Sequence, residues 1–438
     1  METDAKLNRR GRPHDGWLAP HHVDVLIEHG HVREVERLAE EGDFYCARAI
    51  AARHAEQGRH DDALALLTPF ADTGWWHAVQ SLAGVLVSCG RADEAIDLAI
   101  EHAEAGERSA VNYAAALLSR DGRVDEAFAM LRPRVADSFH ARALVDISDG
   151  LGRDEEVIDA LDEYAAAAAA LERWQAIDLL ATVLERTGRV DDAVATLQRN
   201  VRVQSMTCVN LVEHLADLLA RHNRHEELRA LIDGHGGDQA AFRLARHLEH
   251  GGDVDGAVAV LAPLVATGRP HPAIVLAGLL VRTGQADEAL QVLSDGPLGG
   301  EADWLRYTWA ELMAASGRAD EALAVLEDSP DGALDMSWEL FERRLGLLAA
   351  GGRIEQAVDE LRAHPHAGEW YAAWSLAALL EADGRHEEAL EALESSPDHS
   401  LSADLHARLL IGQGRVEEGV AMMRRPRSAL PDPAEPWI

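Results

Sequence analysis

Histidine pairs at helical spacing are the first candidates for chemistry in this 438-residue chain. His222 with His225, and His247 with His250, would each set two imidazoles on one face of a helix. Two imidazoles can begin a metal site, but zinc takes four ligands and neither pair has a third donor at fixed reach. These histidines are read as surface or helix-end groups, and neither a metal nor a cofactor is expected. Neighbouring carboxylates such as Asp93 and Glu94 recur along the chain, mostly where a helix would start, so helix-end electrostatics explains them without general acid or base catalysis. Lys6 is the sole lysine. A phosphate-binding loop needs a lysine after its glycines and a Schiff-base enzyme needs a buried one, which removes both classes outside the N-terminal tail. No G-x-S-x-G elbow or H-E-x-x-H helix occurs, and Gly234-His235-Gly236-Gly237 lacks the last glycine of a dinucleotide loop. Cys46, Cys89 and Cys208 are too far apart to pair as ligands or as a disulfide framework, and are read as small core residues. The sequence offers no catalytic residue, and the chain is not expected to be an enzyme.

The charge balance narrows the partners. Lys and Arg number 41 against 76 Asp and Glu, a formal charge of -35 that repels nucleic-acid phosphate and anionic lipid over most of the surface. One basic motif stands apart: Arg10-Gly11-Arg12-Pro13 resembles the core of an AT-hook, whose arginines lie in a narrow minor groove. A single copy beside acidic protein is first of all a polar tail. The N-terminus lacks the apolar run of a secretory signal and no window reaches the length of a membrane span, so a cytoplasmic location without membrane contact is expected.

The elements that would position any site come from an internal repeat. Gly90-Arg91-Ala92-Asp93-Glu94-Ala95 recurs at Gly122, Gly188, Gly284, Gly317 and Gly384 with at most two substitutions. Looser copies sit at Gly30, Gly58, Gly152, Gly252, Gly352 and Gly414, with Asn223 standing in for glycine once. These thirteen anchors lie 28 to 36 residues apart, the length of a helical hairpin. Eight and four residues before an anchor stand leucines such as Leu180 and Leu184, with a small residue such as Ala181 between them, which makes one apolar helical face. The anchor suits the left-handed cap that ends this helix, where asparagine is the second choice. Three residues later an acid is expected to cap the second helix by accepting its free N–H groups, with another acid beside it in the positive end of the dipole. Alanine follows at the fifth position, as at Ala95 and Ala193, and four residues on comes a leucine such as Leu67 or Leu131. The expected organisation is a polar tail over 1–16, helical repeats over 17–423, and a proline-rich tail over 424–438. Residues 152–223 are expected to be irregular, with a lengthened helix through Ala165–Ala170 and a long connection from Asn200 to Cys208.

The run Leu-Ala, then Gly-Arg-x-Asp-Glu-Ala, resembles the tetratricopeptide repeat across nearly the whole chain. It departs from that family in having leucine where aromatics usually stand four residues before and nine after the glycine. The resemblance implies an all-α, right-handed solenoid of about thirteen helix-turn-helix repeats. It also implies that residues thirteen, ten and six before each anchor line a concave groove that holds peptides. In this sequence those offsets give Tyr45, Arg48, Asn112, Arg142, Asn210, Trp304, Tyr307, Tyr371 and Trp374. The first half of the set carries hydrogen-bonding groups and the second half aromatic anchors of the kind enriched at binding hot spots. Lysines that clamp chaperone tails in one branch of the family have no counterpart here. Trp76, Trp174, Trp338 and Trp370, one position earlier, are expected to pack between repeats. The third and fourth positions after the anchors hold 23 acids and the position directly after them ten arginines, so turn chemistry explains part of the negative charge. The remainder would select a basic partner if it gathers in the groove. The function expected is an interaction scaffold that binds a segment of another protein, and the sequence also admits self-association. An adaptor that reaches DNA through its Arg10–Pro13 tail is the alternative.

Overall fold

The computed structural model describes residues 16–169, 173–203, 206–268, 270–294, 303–315, 317–327, 337–394 and 400–424. Apart from Gly16 and Arg424, both tails, with Arg10–Pro13 and the proline-rich C-terminus, lie outside the described residues. Among the described residues twenty-six α-helices form thirteen antiparallel pairs. The first seven pairs are α1 (Pro20–Glu28) and α2 (Val32–Glu40), α3 (Phe44–Glu56) and α4 (His60–Ala71), α5 (Trp76–Ser88) and α6 (Ala92–Glu104), α7 (Arg108–Arg120) and α8 (Val124–Leu131), α9 (Ser138–Ser148) and α10 (Asp154–Ala167), α11 (Arg173–Arg186) and α12 (Val190–Asn200), α13 (Val209–Arg221) and α14 (His225–Leu231). Six more follow: α15 (Gly237–His250) and α16 (Val254–Val265), α17 (Pro270–Arg282) and α18 (Ala286–Ser294), α19 (Asp303–Ala315) and α20 (Ala319–Glu327), α21 (Trp338–Ala350) and α22 (Ile354–Ala363), α23 (Trp370–Ala382) and α24 (His386–Glu394), α25 (Ser400–Gly412) and α26 (Val416–Met423). Two compact units result, one of residues 1–124 with 348–438 and one of 125–347.

The hairpin turns follow from the anchors. All twelve anchor glycines have φ between 70° and 83°, and Asn223 has φ 56°, the one positive value at a non-glycine among the described residues. At a typical turn Arg91 N–H reaches back to Leu86 C=O (2.9 Å) and Gly90 N–H to Val87 C=O (3.1 Å), a Schellman closure that satisfies two of the helix's last carbonyls. Arg224 and Leu219 repeat it around Asn223 at 2.8 Å. The anchor leucine therefore serves twice, burying its side chain and accepting the closing bond.

The second helix starts differently from expectation. Its N-cap is the arginine directly after the anchor, as at Arg91, Arg189 and Arg224, and no side chain caps it. The helix begins one residue before the acids, so these fall inside the first turn and turn to the arginine. Arg91 holds Glu94 at 2.6 Å, Arg385 holds Glu388 at 2.6 Å and Arg415 holds Glu418 at 2.7 Å. The same arginine reaches the first acid of the preceding hairpin: Arg153 to Asp125 (2.8 Å), Arg224 to Asp191 (2.7 Å) and Arg318 to Asp287 (2.7 Å) in one unit, and Arg385 to Glu355 (3.0 Å) in the other. Each such guanidinium bridges two hairpins. The Gly252 hairpin inverts this chemistry, since Asp253 replaces the arginine and does cap, accepting the Gly256 N–H at 2.9 Å, while glycine replaces the second acid.

Packing is as the spacing implies. Ala83, Ala181, Ala216, Ala277 and Ala377 between the leucines are fully buried, as are Ala63, Ala95, Ala127, Ala193 and Ala257 in second helices. Small side chains let adjacent helices approach, and the leucines fill the space on either side. In the first unit the core includes Leu18, Leu26, Phe44 and Leu67 together with Ile411 and Val420, so the first and last hairpins share it. The second unit has its own cluster, which includes Ala257, Leu261, Leu276 and Leu280. Cys46 is buried, and burial, then the Asp43 charge, raise its thiol far above the ordinary range, while Cys89 and Cys208 are half-buried. Trp76 is buried, and Trp174, Trp338 and Trp370 are half-buried. The irregular stretch shows as a 14-residue α10, a pair of glycines with positive φ at Gly150 and Gly152, and a tight antiparallel ladder pairing Arg202 with Thr207 and Val203 with Met206.

Candidate functional site

First helices carry the stripe at offsets thirteen, ten and six before the anchor, and stripe residues of successive hairpins meet. In the first unit Trp17 lies edge-on to Tyr45 at 6.2 Å and 5.7 Å from Trp75, and Trp75 stacks on His77 at 5.4 Å. The Arg48 guanidinium sits 5.2 Å from the Tyr45 ring, a cation–π contact on an accessible edge. Phe44, wholly buried, supports the group from beneath at 4.5 Å from Trp75. Three half-buried rings thus present faces flanked by exposed Arg48 and His77. Asp43 fixes the start of α3 by accepting Cys46 N–H at 3.1 Å and Leu18 N–H at 2.7 Å, which ties the segment bearing Trp17 to the helix bearing Tyr45. Elsewhere in this unit Asn112, Tyr371 and Trp374 are half-buried, and Tyr371 lies 5.6 Å from Trp370 and 6.3 Å from His366.

The second unit carries a polar version. Arg142 donates to Asp178 (3.3 Å), whose other oxygen accepts from His214 Nδ1 at 2.7 Å. On the next helices Arg243 donates to Glu213 at 2.6 Å and to Asp217 at 3.1 Å. Phe242 and His271 then meet edge-on at 5.0 Å. Arg142 is half exposed (51% of its side chain), while Asp178 and His214 are mostly covered, so the arginine can exchange its partner and the His–Asp pair is a fixed support. Asn210 and Tyr307 are exposed, and the side chain of Trp304 lies outside the described residues.

Sequence reasoning passed over Trp17, Trp75, Asp178, His214 and Arg243. The count from Gly30 and Gly188 that gave Tyr45 and Arg142 also lands on Trp17 and Asp178. Trp75 lies two residues off the pattern and His214 and Arg243 one, and they carry no such signal. The histidine pairs are engaged elsewhere: His222 donates to Glu185 at 3.0 Å, His250 Nδ1 donates to the Arg246 carbonyl at 2.7 Å, and the rings of His225 and His247 stand 6.2 Å apart. Burial acts to raise the Glu185 carboxyl, but hydrogen bonds from Arg221 and His222 outweigh it and hold it below its ordinary value. Among the described residues one group does bring three ligand atoms together, His21 and His22 with Asp404.

The repeated hairpin, closed by a left-handed residue and packed mainly on its neighbours, defines an all-α helical-repeat protein of the solenoid class. No protein-family model matches the chain, and no curated protein matches its sequence. Among solved structures it is similar to Naa15/Naa10 bound to HypK, at 15% identity over 94% of this chain and 68% of that one, with a TM-score of 0.44. It is also similar to the pentatricopeptide repeat protein PPR10 from maize, at 14% identity over 89% of this chain and 60% of that one (TM-score 0.35), and to the APC/C hetero-tetramer Cut9-Hcn1, at 11% identity over 87% of this chain and 94% of that one (TM-score 0.28). Among the described residues no helix is long and apolar enough to cross a membrane.

Proposed function

We propose that this chain is a non-catalytic interaction scaffold of the tetratricopeptide type, which holds a segment of a partner protein on the stripe of its first helices. The observation that supports this most is the contact between stripe residues of successive hairpins, Trp17 with Tyr45 in one unit and Arg142 with Asp178 in the other. Such contacts make each unit's stripe continuous over several hairpins rather than a set of isolated side chains. Rigid aromatic faces beside an exposed guanidinium suit a peptide with apolar and carboxylate or carbonyl groups, because rings lose little entropy on binding and arginine donates in a planar fork. His214 and Asp178 are tied to each other and to Arg142, which supports a positioning role for them over an acid–base one.

The test is panning of a displayed peptide library against the full chain, followed by affinity measurement on two variants. Tyr45→Ala with Arg48→Ala removes the aromatic corner, and Arg142→Ala opens the polar ladder. A selected peptide that loses at least about tenfold in affinity with either variant, about 1.4 kcal/mol, supports the reading. Peptides bound equally by wild type and both variants place the interaction off the stripe and defeat it.

A further inference from the structure

His21 and His22 are consecutive residues in the first turn of α1, and consecutive side chains on a helix normally diverge by about 100°. Here both rings turn to one carboxylate. His22 Nε2 lies 2.8 Å from Asp404 Oδ1 and His21 Nε2 lies 3.5 Å from Asp404 Oδ2, with the ring centroids 4.1 Å apart. Asp404 belongs to α25, so the group joins the first hairpin to the last. All three ligand atoms fall within 4.8 Å of one another.

The burial pattern favours a ligand set over a chance ion pair. The His22 side chain is only 4% exposed, and its Nδ1 is buried without a hydrogen-bond partner. Whatever offsets the burial of that ring must therefore act through Nε2, the atom directed at the cluster. His21 is 55% exposed and Asp404 30%, so the opposite side of the group is open to solvent and to an entering ion. A tetrahedral ion with bonds of about 2.0–2.1 Å needs its ligand atoms roughly 3.3 Å apart, and the two imidazole nitrogens lie 2.8 and 3.5 Å from the two different oxygens of the same carboxylate.

We propose that His21, His22 and Asp404 bind a divalent transition metal of the zinc class, with a solvent-facing fourth position, and that the ion clasps the first hairpin to the last. Two imidazoles and one carboxylate suit Zn²⁺ or Co²⁺, whereas Mg²⁺ and Ca²⁺ require more oxygen ligands. The ion would reinforce a junction already made by Leu18, Ile411 and Val420 in a shared core and by Arg424 against Glu41 at 3.6 Å. Because the site exists only when that junction is formed, binding stabilises it by mass action.

The experiment uses the full chain without a histidine tag, stripped of metal and titrated with Co²⁺. Its tetrahedral ligand-field bands are read directly, then displaced with Zn²⁺, and melting temperature is recorded at each end point. The expected result is one Co²⁺ per chain, displacement by Zn²⁺ and a higher melting temperature with metal. His21→Ala, which leaves the His22–Asp404 contact in place, and Asp404→Asn should each weaken Co²⁺ binding at least about tenfold. A His366→Ala control, at a histidine whose ring stands 5.4 Å from that of His364, should bind as wild type. Absence of tetrahedral bands in the wild type, or equal binding by wild type, His21→Ala and Asp404→Asn, overturns the proposal.

Discussion

Asn223 shows how far a single residue can be read. Twelve glycines set a rule for φ, and the thirteenth anchor satisfies it with asparagine, whose short polar side chain lets it visit the left-handed region at low cost. Asn223→Gly is expected to leave the urea midpoint within experimental error, whereas Asn223→Val should lower stability by about 1–2 kcal/mol, because a branched Cβ crowds its own carbonyl there. A Val variant as stable as wild type would show that the turn is not held at φ 56°. Gly256 is the complementary case. Its backbone is helical, but an added Cβ would lie 2.3 Å from Asp253 Oδ2, so Gly256→Ala should displace the cap and cost about 1 kcal/mol. The paired change Asp253→Arg with Gly256→Glu rebuilds the arginine ladder found in neighbouring hairpins, with Glu226 in the preceding hairpin to receive the new guanidinium. Thermal melts should show the pair recovering what Gly256→Ala loses, and a pair less stable than the single variant would mean the two turn chemistries are not interchangeable.

At the scale of helices, Asp43 combines a cap with a long-range tether. It is buried at 2% exposure and accepts two backbone N–H groups, one from its own helix and one from Leu18. Asp43→Ala leaves both donors without a partner in a buried setting, at a cost of about 2–4 kcal/mol. Hydrogen exchange should localise the loss to residues 17–26 and 44–50; uniform loss across the first unit would instead mark a general packing defect. The same residues show what the sequence made legible. Helix pairing, buried alanines and left-handed turns could all be read, because each depends on contacts at fixed offsets within one hairpin. Arginine pairing with the preceding hairpin, the tether from Asp43 to Leu18 and the union of His22 with Asp404 could not, since they depend on how hairpins stack or on residues hundreds apart. Capping by the second-helix acids fails for a local reason: the helix starts two residues earlier than expected, so an arginine rather than an acid occupies the cap. The stripe was half legible, its offsets giving Tyr45, Arg48 and Arg142 but not the Trp75 and His214 that support them.

For the whole chain, two electrostatic effects compete as pH falls. A net charge of -35 repels itself, and protonating carboxylates relieves that repulsion, which favours the compact state. The arginine ladder acts in the other direction. Hydrogen bonds from Arg91, Arg385 and Arg415 hold Glu94, Glu388 and Glu418 below their ordinary values. A carboxylate lowered in the folded state lends stability above its unfolded value near 4.3, and that contribution is lost as pH falls through the lower, folded value. These arginine–glutamate pairs act at contact distance within single hairpins, whereas much of the general repulsion acts between exposed charges farther apart, which salt at physiological strength screens. Melting temperature in 0.15 M salt should therefore stay level from about pH 7 to 5 and drop below about pH 4.5, where glutamates begin to protonate. The variant Arg91→Gln with Arg385→Gln should melt lower than wild type at neutral pH and show a shallower acid drop, because fewer carboxylates depend on a guanidinium. A melting temperature that rises on acidification, or an acid drop of the same size in wild type and variant, would show that general repulsion rather than the ladder governs the stability of this array.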